Sequence, residues 1–289
     1  MYDVNRKVFE YQLKTVWLSL MRISLFVRFY LKAKTRFDVH SSFLHQLLIV
    51  IQDTEKEYYA FHNLEEERQR LLSAQEEVSV NKWGAGSTIT HGNSARISQI
   101  ARRGISCPAK CRLLFQLALH FRPANILELG TSLGISSGYM ASASKKCFVT
   151  TIEGNPELVR IAKDVHFRLG LCNINCIQGL FAEQLDILAS SVCPWDMVYL
   201  DGHHDEEATL ALFDQIVACS HNDTIVVLDD IYWSAGMAHA WQKITRHPQT
   251  TLCLDVFHVG IVFLNKALSK EYYPIIPYRM KPWRIGMFS

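Results

Sequence analysis

A doubly wound α/β domain preceded by a helical region is the fold this sequence predicts, on three observations. From residue 124 onward, short apolar runs alternate with segments long enough for helices; the first run ends in a turn carrying glycines; carboxylates follow the ends of several later runs. Such alternation means βαβ units, a parallel sheet and right-handed crossovers. Composition agrees with a folded globular chain. Of 289 residues, 49% are apolar and 20% charged, which excludes global disorder, collagen-like repeats and low-complexity scaffolds. With 30 Lys and Arg against 28 Asp and Glu, the formal charge of +2 offers no bulk electrostatic case for nucleic acid.

The first apolar segment, VWLSLMRISLFVRFYL at 16–31, reads as a helix. It is shorter than the roughly 20 residues of a membrane span, Arg22 and Arg28 interrupt it, and no small-residue cleavage site follows. It is expected to be amphipathic and buried in a core or between subunits of a homo-oligomer. Residues 1–36 hold eight Lys or Arg against two acids, a local +6 that leaves −4 for the rest, so a basic helix lying on an anionic membrane surface is the competing reading. The stretch 36–42, RFDVHSS, breaks this helix, and Ser41-Ser42 can cap the next, FLHQLLIVIQ. Residues 53–77, with Glu65-Glu66-Glu67 followed by Arg68 and Arg70, read as a helix with a solvated charged face. The small, polar segment from Gly84 to Ser94 reads as a loop, either a plain linker or a flap over a neighbouring site. Arg96, Arg102, Arg103, Lys110 and Arg112 follow without an acid among them, a basic surface or a means of steering an anionic substrate. The expected division is therefore 1–94, a helical N-terminal region with a flexible loop, and 95–289, the α/β domain.

Within that domain the apolar runs are NILEL (125–129), FVTTI (148–152), NCIQ (175–178), DMVYL (196–200), TIVVL (224–228), TLCLDVF (251–257) and VGIVFL (259–264). Most are short and continuous, as strands buried on both faces should be. Helices are predicted at 134–146, 156–169, 181–191, 205–220 and 234–247, and the last two runs read as an antiparallel hairpin around His258. Eight cysteines contain no C-x-x-C pair and no zinc-finger spacing, and they are too dilute for a disulfide scaffold; a reduced, cytoplasmic setting is expected.

The chemistry-bearing residues sit at strand ends. In Ile126-Leu127-Glu128-Leu129-Gly130-Thr131-Ser132-Leu133-Gly134-Ile135-Ser136 a strand runs through a glycine turn into a helix, where open α/β sheets bind ligands. The glycines at 130, 134 and 138 depart from the G-x-G-x-x-G spacing that cradles a pyrophosphate, so a nucleoside without a phosphate suits the turn better. On this reading a valine at position 130 abolishes ligand binding while the sheet stays folded. Glu153 ends the second strand, placed to accept hydrogen bonds from ribose hydroxyls, and Asn155-Pro156 starts a helix. Asp201, in Tyr199-Leu200-Asp201-Gly202-His203-His204-Asp205, and Asp229-Asp230 follow two further strands on the same sheet edge. Three carboxylates there can hold Mg²⁺ or a similar hard cation; alternatively Asp205 and Asp230 cap helices and Asp201 only orients a loop.

These motifs, in this order, resemble the class I S-adenosylmethionine-dependent methyltransferases, and within them the small-molecule O-methyltransferases of the catechol O-methyltransferase type. The resemblance covers about 110–265. It implies a Rossmann-like seven-stranded sheet in the order 3-2-1-4-5-7-6 with the last strand antiparallel. It implies S-adenosylmethionine as cofactor, bound by Glu128, Gly130, Thr131, Gly134, Ser136, Glu153, Gly154, Asn155, Phe181, Ala182 and Asp201. It places a divalent cation on Asp201, Asp229 and Asp230, which predicts sensitivity to chelators. Asp230 stands where the family commonly has Asn. The catechol enzymes' catalytic lysine falls near His204, so His204 or His203, with Asp201, are the candidate catalytic groups.

The function expected is methyl transfer from S-adenosylmethionine to an oxygen nucleophile of a small molecule. Two readings compete with it. An RNA-modifying methyltransferase would use the basic stretch 96–112 as its footprint; a non-catalytic module would bind the cofactor and interact through the N-terminal helices. Tyr232 and Trp233 are candidates for an apolar acceptor wall.

Overall fold

The structure, a computed structural model, describes residues 17, 19–53, 56–79, 94–189, 194–202 and 204–284. Residues 1–16, most of the polar segment 84–94, and His203 lie outside the described residues. Helix α1 covers 19–32. It is followed by α2 (Ser42–Gln52), α3 (Tyr59–Ser73), β1 (Glu77–Ser79), β2 (Ser94–Arg96), α4 (Ile97–Gly104) and α5 (Pro108–Phe121). The alternating part runs β3 (Asn125–Leu129), α6 (Ile135–Ser142), β4 (Phe148–Glu153), α7 (Pro156–Arg168), β5 (Ile174–Gln178), α8 (Phe181–Ala189), β6 (Trp195–Leu200), α9 (Glu206–Ala218), β7 (Ser220–Asp229), α10 (Ala235–Arg246), β8 (Leu252–Asp255), β9 (Val259–Phe263) and β10 (Glu271–Pro274).

The main sheet has the order β10-β8-β9-β7-β6-β3-β4-β5, with β9 antiparallel to both β7 and β8. Without β10 this is the order the resemblance implied. The eighth strand is an addition to the expected seven: β10 lies parallel to β8 at the sheet edge. Its four residues, EYYP, are short and end in proline, so no apolar pattern announced it. β1 and β2 form a separate antiparallel pair inside the region expected to be helical and loop-like.

Period-two alternation divides the core between the two faces of the sheet. Ile126 packs on one side with Leu113, Leu114 and Leu117 of α5 and Met140 of α6. Leu127 and Leu129 pack on the other with Leu185 of α8, Leu212 and Phe213 of α9, and Trp241 of α10. Because β8 and β9 form a hairpin, no crossover helix covers their first face. Helix α2 does so instead: Leu44, Leu47, Leu48 and Ile51 join Leu252, Leu254, Ile261 and Phe263 in one core. Ser41 caps α2 as expected, accepting from the Leu44 N–H at 3.3 Å.

Two expectations for the N-terminal region change. In α3, Glu67 and Arg68 are buried rather than solvated. Arg68 reaches under α4 and donates to the Ser106 carbonyl at 2.6 Å, and Glu67 is paired with Arg70 at 2.5 Å. Helix α1 buries Phe29 and Ala33, but Trp17, Leu20, Ile23, Val27 and Leu31 are exposed. The helix is therefore buried on one face only.

His166, on α7, shows how helix packing shapes the glycine turn. Its Nε2 lies 3.1 Å from the Gly134 carbonyl and 3.0 Å from Ser137 Oγ. Burial pushes its pKa down to about 4, against the ordinary value near 6.5. The folded state thus resists a proton that the unfolded chain accepts. Stability present above about pH 6.5 is lost as pH falls toward 4, by about 3 kcal/mol from this group alone. Urea unfolding of wild type and His166→Asn between pH 7.5 and 4.5 checks this; parallel pH profiles for the two proteins would assign the titration elsewhere.

Candidate functional site

The carboxyl ends of β3, β4, β6 and β7 meet at one edge of the sheet, and the loop between α4 and α5 lies across them. Gly130 occupies a left-handed conformation (φ 107°), and a Cβ there would come 2.0 Å from the Asp201 carbonyl oxygen. The turn is closed by bonds from the Gly130 and Thr131 N–H groups to the Ile152 carbonyl (3.0 and 3.3 Å) and from the Asp201 N–H to the Leu129 carbonyl (2.9 Å). Gly130 is thus required first by the contact between the two strand ends, which overturns the expectation that a valine there spares the sheet. Gly104, Ser106, Gly130, Thr131, Ser132, Ser136 and Asp201 line the resulting cleft.

Glu153 reaches back to this turn. Its Oε2 accepts from the Ser132 N–H at 2.9 Å and its Oε1 from the Asn155 N–H at 3.0 Å. Ser132 is itself left-handed (φ 48°), so the Glu153 carboxylate holds a strained residue in place. Burial raises the Glu153 pKa against the pull of these N–H groups. Asn155 caps α7, accepting from the Glu157 N–H at 2.9 Å. Thr131 turns its hydroxyl inward, 2.5 Å from Thr151 Oγ1, which in turn donates to Glu128 Oε2 at 2.5 Å. Glu128 is fully buried and its Oε1 has no hydrogen-bond partner. Burial pushes its pKa up to about 7 although the hydroxyls of Ser136, Thr151 and Ser137 favour the charged form. An orphaned carboxylate oxygen beneath a glycine turn fits a cationic ligand group, as S-adenosylmethionine carries. Phe181 packs over Gly202, where a Cβ would meet its ring at 2.5 Å, and Ala182 follows it in the first turn of α8.

Asp201, Asp229 and Asp230 do converge, but not around a vacant centre. Lys110 Nζ lies 2.6 Å from Asp229 Oδ1 and 2.7 Å from Asp230 Oδ1. Asp229 is buried and Lys110 nearly so, and the lysine's pKa is raised: burial opposes the charge, but the two carboxylates outweigh it. The Tyr199 hydroxyl joins the group, 2.9 Å from Asp229 Oδ2 and 3.2 Å from Asp201 Oδ2, and Ser106 Oγ donates to Asp201 Oδ2 at 3.3 Å. Burial and the neighbouring Asp229 push the Asp201 carboxyl well above its usual range. The expected Mg²⁺ or other divalent cation does not fit this donor set, because an ammonium group already takes the space between two of its three carboxylates. Among the described residues no group of three His, Cys, Asp or Glu is arranged to hold a metal ion. Asp230 is left-handed (φ 49°), a conformation that Asn and Asp tolerate best. It does not cap α10; Ser234 does, accepting from the Met237 N–H at 3.1 Å. Asp205 does cap α9.

His204 stands apart from this group. It lines a separate cleft of about 410 Å³ with Asp205, Glu206, Ser234 and Lys243, its ring 5.9 Å from Trp233. The imidazole that feels the lysine and carboxylates is His258, on the β8–β9 turn, whose pKa is lowered by burial and then by Lys110. The residues that sequence reasoning missed are Lys110, Tyr199, Ser106 and His258. Tyr199 carried a usable signal, since it is two residues from Asp201 on a strand and so shares its face. Lys110 was hidden in the basic stretch. That stretch is mostly neutralised: Arg96 pairs with Glu77, Arg112 with Glu57 and Lys110 with Asp229.

Comparison with known proteins agrees with the fold. Residues 127–231 match the family described as "Methyltransferase domain". The chain is 33% identical over 142 residues to the O-methyltransferase hkm8 of Aspergillus hancockii, covering 47% of this chain and 56% of that protein. It is 29% identical over 157 residues to the protein-L-isoaspartate O-methyltransferase of Methanococcus maripaludis, covering 53% and 61%. The chain thus spans little more than half the length of these curated relatives. In fold it resembles the O-methyltransferase from Bacillus cereus solved in complex with SAH, with a TM-score of 0.52 at 18% identity over 70% of this chain and 90% of the other. Residues 127–231, which hold the glycine turn and Glu153, are thus similar to a methyltransferase domain, and the sheet around them has the fold of that O-methyltransferase structure.

Proposed function

We propose that this protein transfers a methyl group from S-adenosylmethionine to an oxygen nucleophile of a small molecule, with Lys110 in the place of a divalent cation. The observation that carries the reading is the meeting, at one sheet edge, of the glycine turn and Glu153 with the Lys110, Asp229, Asp230, Asp201 and Tyr199 group. When bound, the cofactor supplies a methyl group already activated on a sulfonium. The protein's part is then chiefly to hold donor and acceptor in line. Glu153 and the backbone of the Gly130–Ser132 turn hold the nucleoside side, and Glu128 faces the cationic end. Lys110 keeps its proton and offsets the negative charge that develops on the acceptor oxygen. Asp201, whose affinity for a proton is raised, takes the acceptor's hydroxyl proton; Ser106 and Tyr199 orient its carboxylate.

Titration calorimetry and a screen with isotopically labelled cofactor test this. Glu153→Ala weakens S-adenosylmethionine binding by about 1.5–3 kcal/mol, the range for hydrogen bonds to a charged group. Unchanged affinity in a folded variant overturns the assignment. In the screen, label passes to a small-molecule fraction in the presence of excess chelator. Label recovered only in protein or RNA would replace the small-molecule reading.

A further inference from the structure

Helix α1 has an inner and an outer face of different character. Inward, Phe26 and Phe29 pack on Phe257 with ring centroids 5.0 and 5.3 Å apart. Arg22 stacks over Trp233 at 4.0 Å and donates to its carbonyl at 3.0 Å. Outward, Trp17, Leu20, Ile23, Val27 and Leu31 are 49–70% exposed. Their spacing of three or four residues makes one stripe along the helix. The C-terminal turns continue it. Trp283 lies 6.3 Å from the Tyr30 ring, and the Met280 carbonyl accepts from the Tyr30 hydroxyl at 2.7 Å; both Trp283 and Met280 are about half exposed. A contiguous apolar patch of this kind marks a partner or a membrane.

Charge distinguishes the two. Residues 17–37 contain Arg22, Arg28, Lys32, Lys34 and Arg36 and no acid; of these, Arg22 turns inward onto Trp233. Arg28 and Lys32 are exposed on the flank of the stripe. A second copy of this face would set like charges against each other, whereas anionic headgroups complement them. No described helix is long and apolar enough to cross a membrane. We propose that α1 and the adjoining C-terminal turns form an in-plane docking face for an anionic lipid surface. The apolar stripe enters the boundary between headgroups and acyl chains, and Arg28 and Lys32 lie at the phosphate level. Docking sets the Trp233 loop, which Arg22 grips from the inner face, beside the lipid surface.

Co-sedimentation of the full chain with vesicles tests the proposal. The protein pellets with vesicles of phosphatidylcholine and phosphatidylserine, far less with phosphatidylcholine alone, and release follows a rise in salt. Leu20→Ser/Val27→Ser/Leu31→Ser and, separately, Arg28→Glu/Lys32→Glu each lower vesicle affinity by about tenfold or more, the second because each basic residue near the surface is worth about fivefold. Circular dichroism and cofactor affinity stay unchanged, since the altered side chains are exposed and away from the cleft. Absence of binding to anionic vesicles overturns the proposal. So does a wild-type dimer that the triple serine variant dissociates, which would assign the face to a second copy of the chain.

Discussion

Replacing Lys110 by methionine lowers methyl-transfer turnover by about a hundredfold or more, while S-adenosylmethionine affinity changes little. The magnitude is that of removing one preorganised charge or donor from a site where charge develops in the transition state. The separation of effects follows from placement: Lys110 touches Asp229 and Asp230 at the end of β7, whereas our proposal puts the nucleoside side at the ends of β3 and β4. Removing the lysine also leaves Asp229, which is buried, without its cation, and breaking such a pair typically costs about 3–5 kcal/mol of stability. The double variant Lys110→Met/Asp229→Asn removes that penalty and serves as the folded control. It recovers stability in urea titration but not turnover. Excess chelator leaves wild-type turnover unchanged, the reverse of what the three carboxylates suggested when taken alone. A chelator effect that Mg²⁺ or Mn²⁺ reverses would return the carboxylates to a metal and assign Lys110 to a resting pair.

Gly130→Ala destabilises the fold by about 3 kcal/mol or more and removes cofactor binding with it. Two terms add. The φ of 107° lies where an L side chain is strained, and the new methyl group would sit 2.0 Å from the Asp201 carbonyl oxygen. Relief requires β3 and β6 to separate at their ends, which moves Asp201 and opens the turn that Glu153 holds. Gly170→Ala is the natural comparison. Gly170 also has positive φ (67°), but nothing lies within 4 Å of its added Cβ, so backbone strain alone costs about 1–2 kcal/mol. Denaturant midpoints of the two variants separate the contact from the conformation. Equal destabilisation would mean that the strand ends yield easily and that the glycine serves conformation only.

The acid behaviour of His166 fits the same picture of a turn held from behind. The histidine falls in a segment read as a helix, and it is one; its position against the Gly134 carbonyl is a tertiary fact. That distinction runs through the whole molecule. The alternation of continuous apolar runs with helical segments decided the parallel sheet, because strands buried on both faces leave no other pattern. The hairpin around His258 and the glycine turn were legible for similar local reasons. So were Glu153 and the three aspartates, since residues just past strand ends necessarily gather at one edge of a parallel sheet.

What no local pattern carried was the identity of the partners at that edge. Lys110 is about ninety residues before Asp201 and stands among four arginines with solvent-like surroundings in the sequence. Only the packing of α5 against the sheet turns it toward β7, and a lysine in that carboxylate cluster is what our proposal puts in the place of a metal ion. Likewise, the apolar run at 16–31 could determine a helix but not its burial. Which face was covered depended on Phe257 and Trp233, more than two hundred residues away, and the face they left uncovered is the one that meets the lipid surface in our proposal. Local periodicity thus determined the elements and the edge at which the site forms. Long-range packing decided which charges neutralise one another there, because a carboxylate's role depends on the nearest opposite charge, and its distance along the chain says nothing about its distance in space.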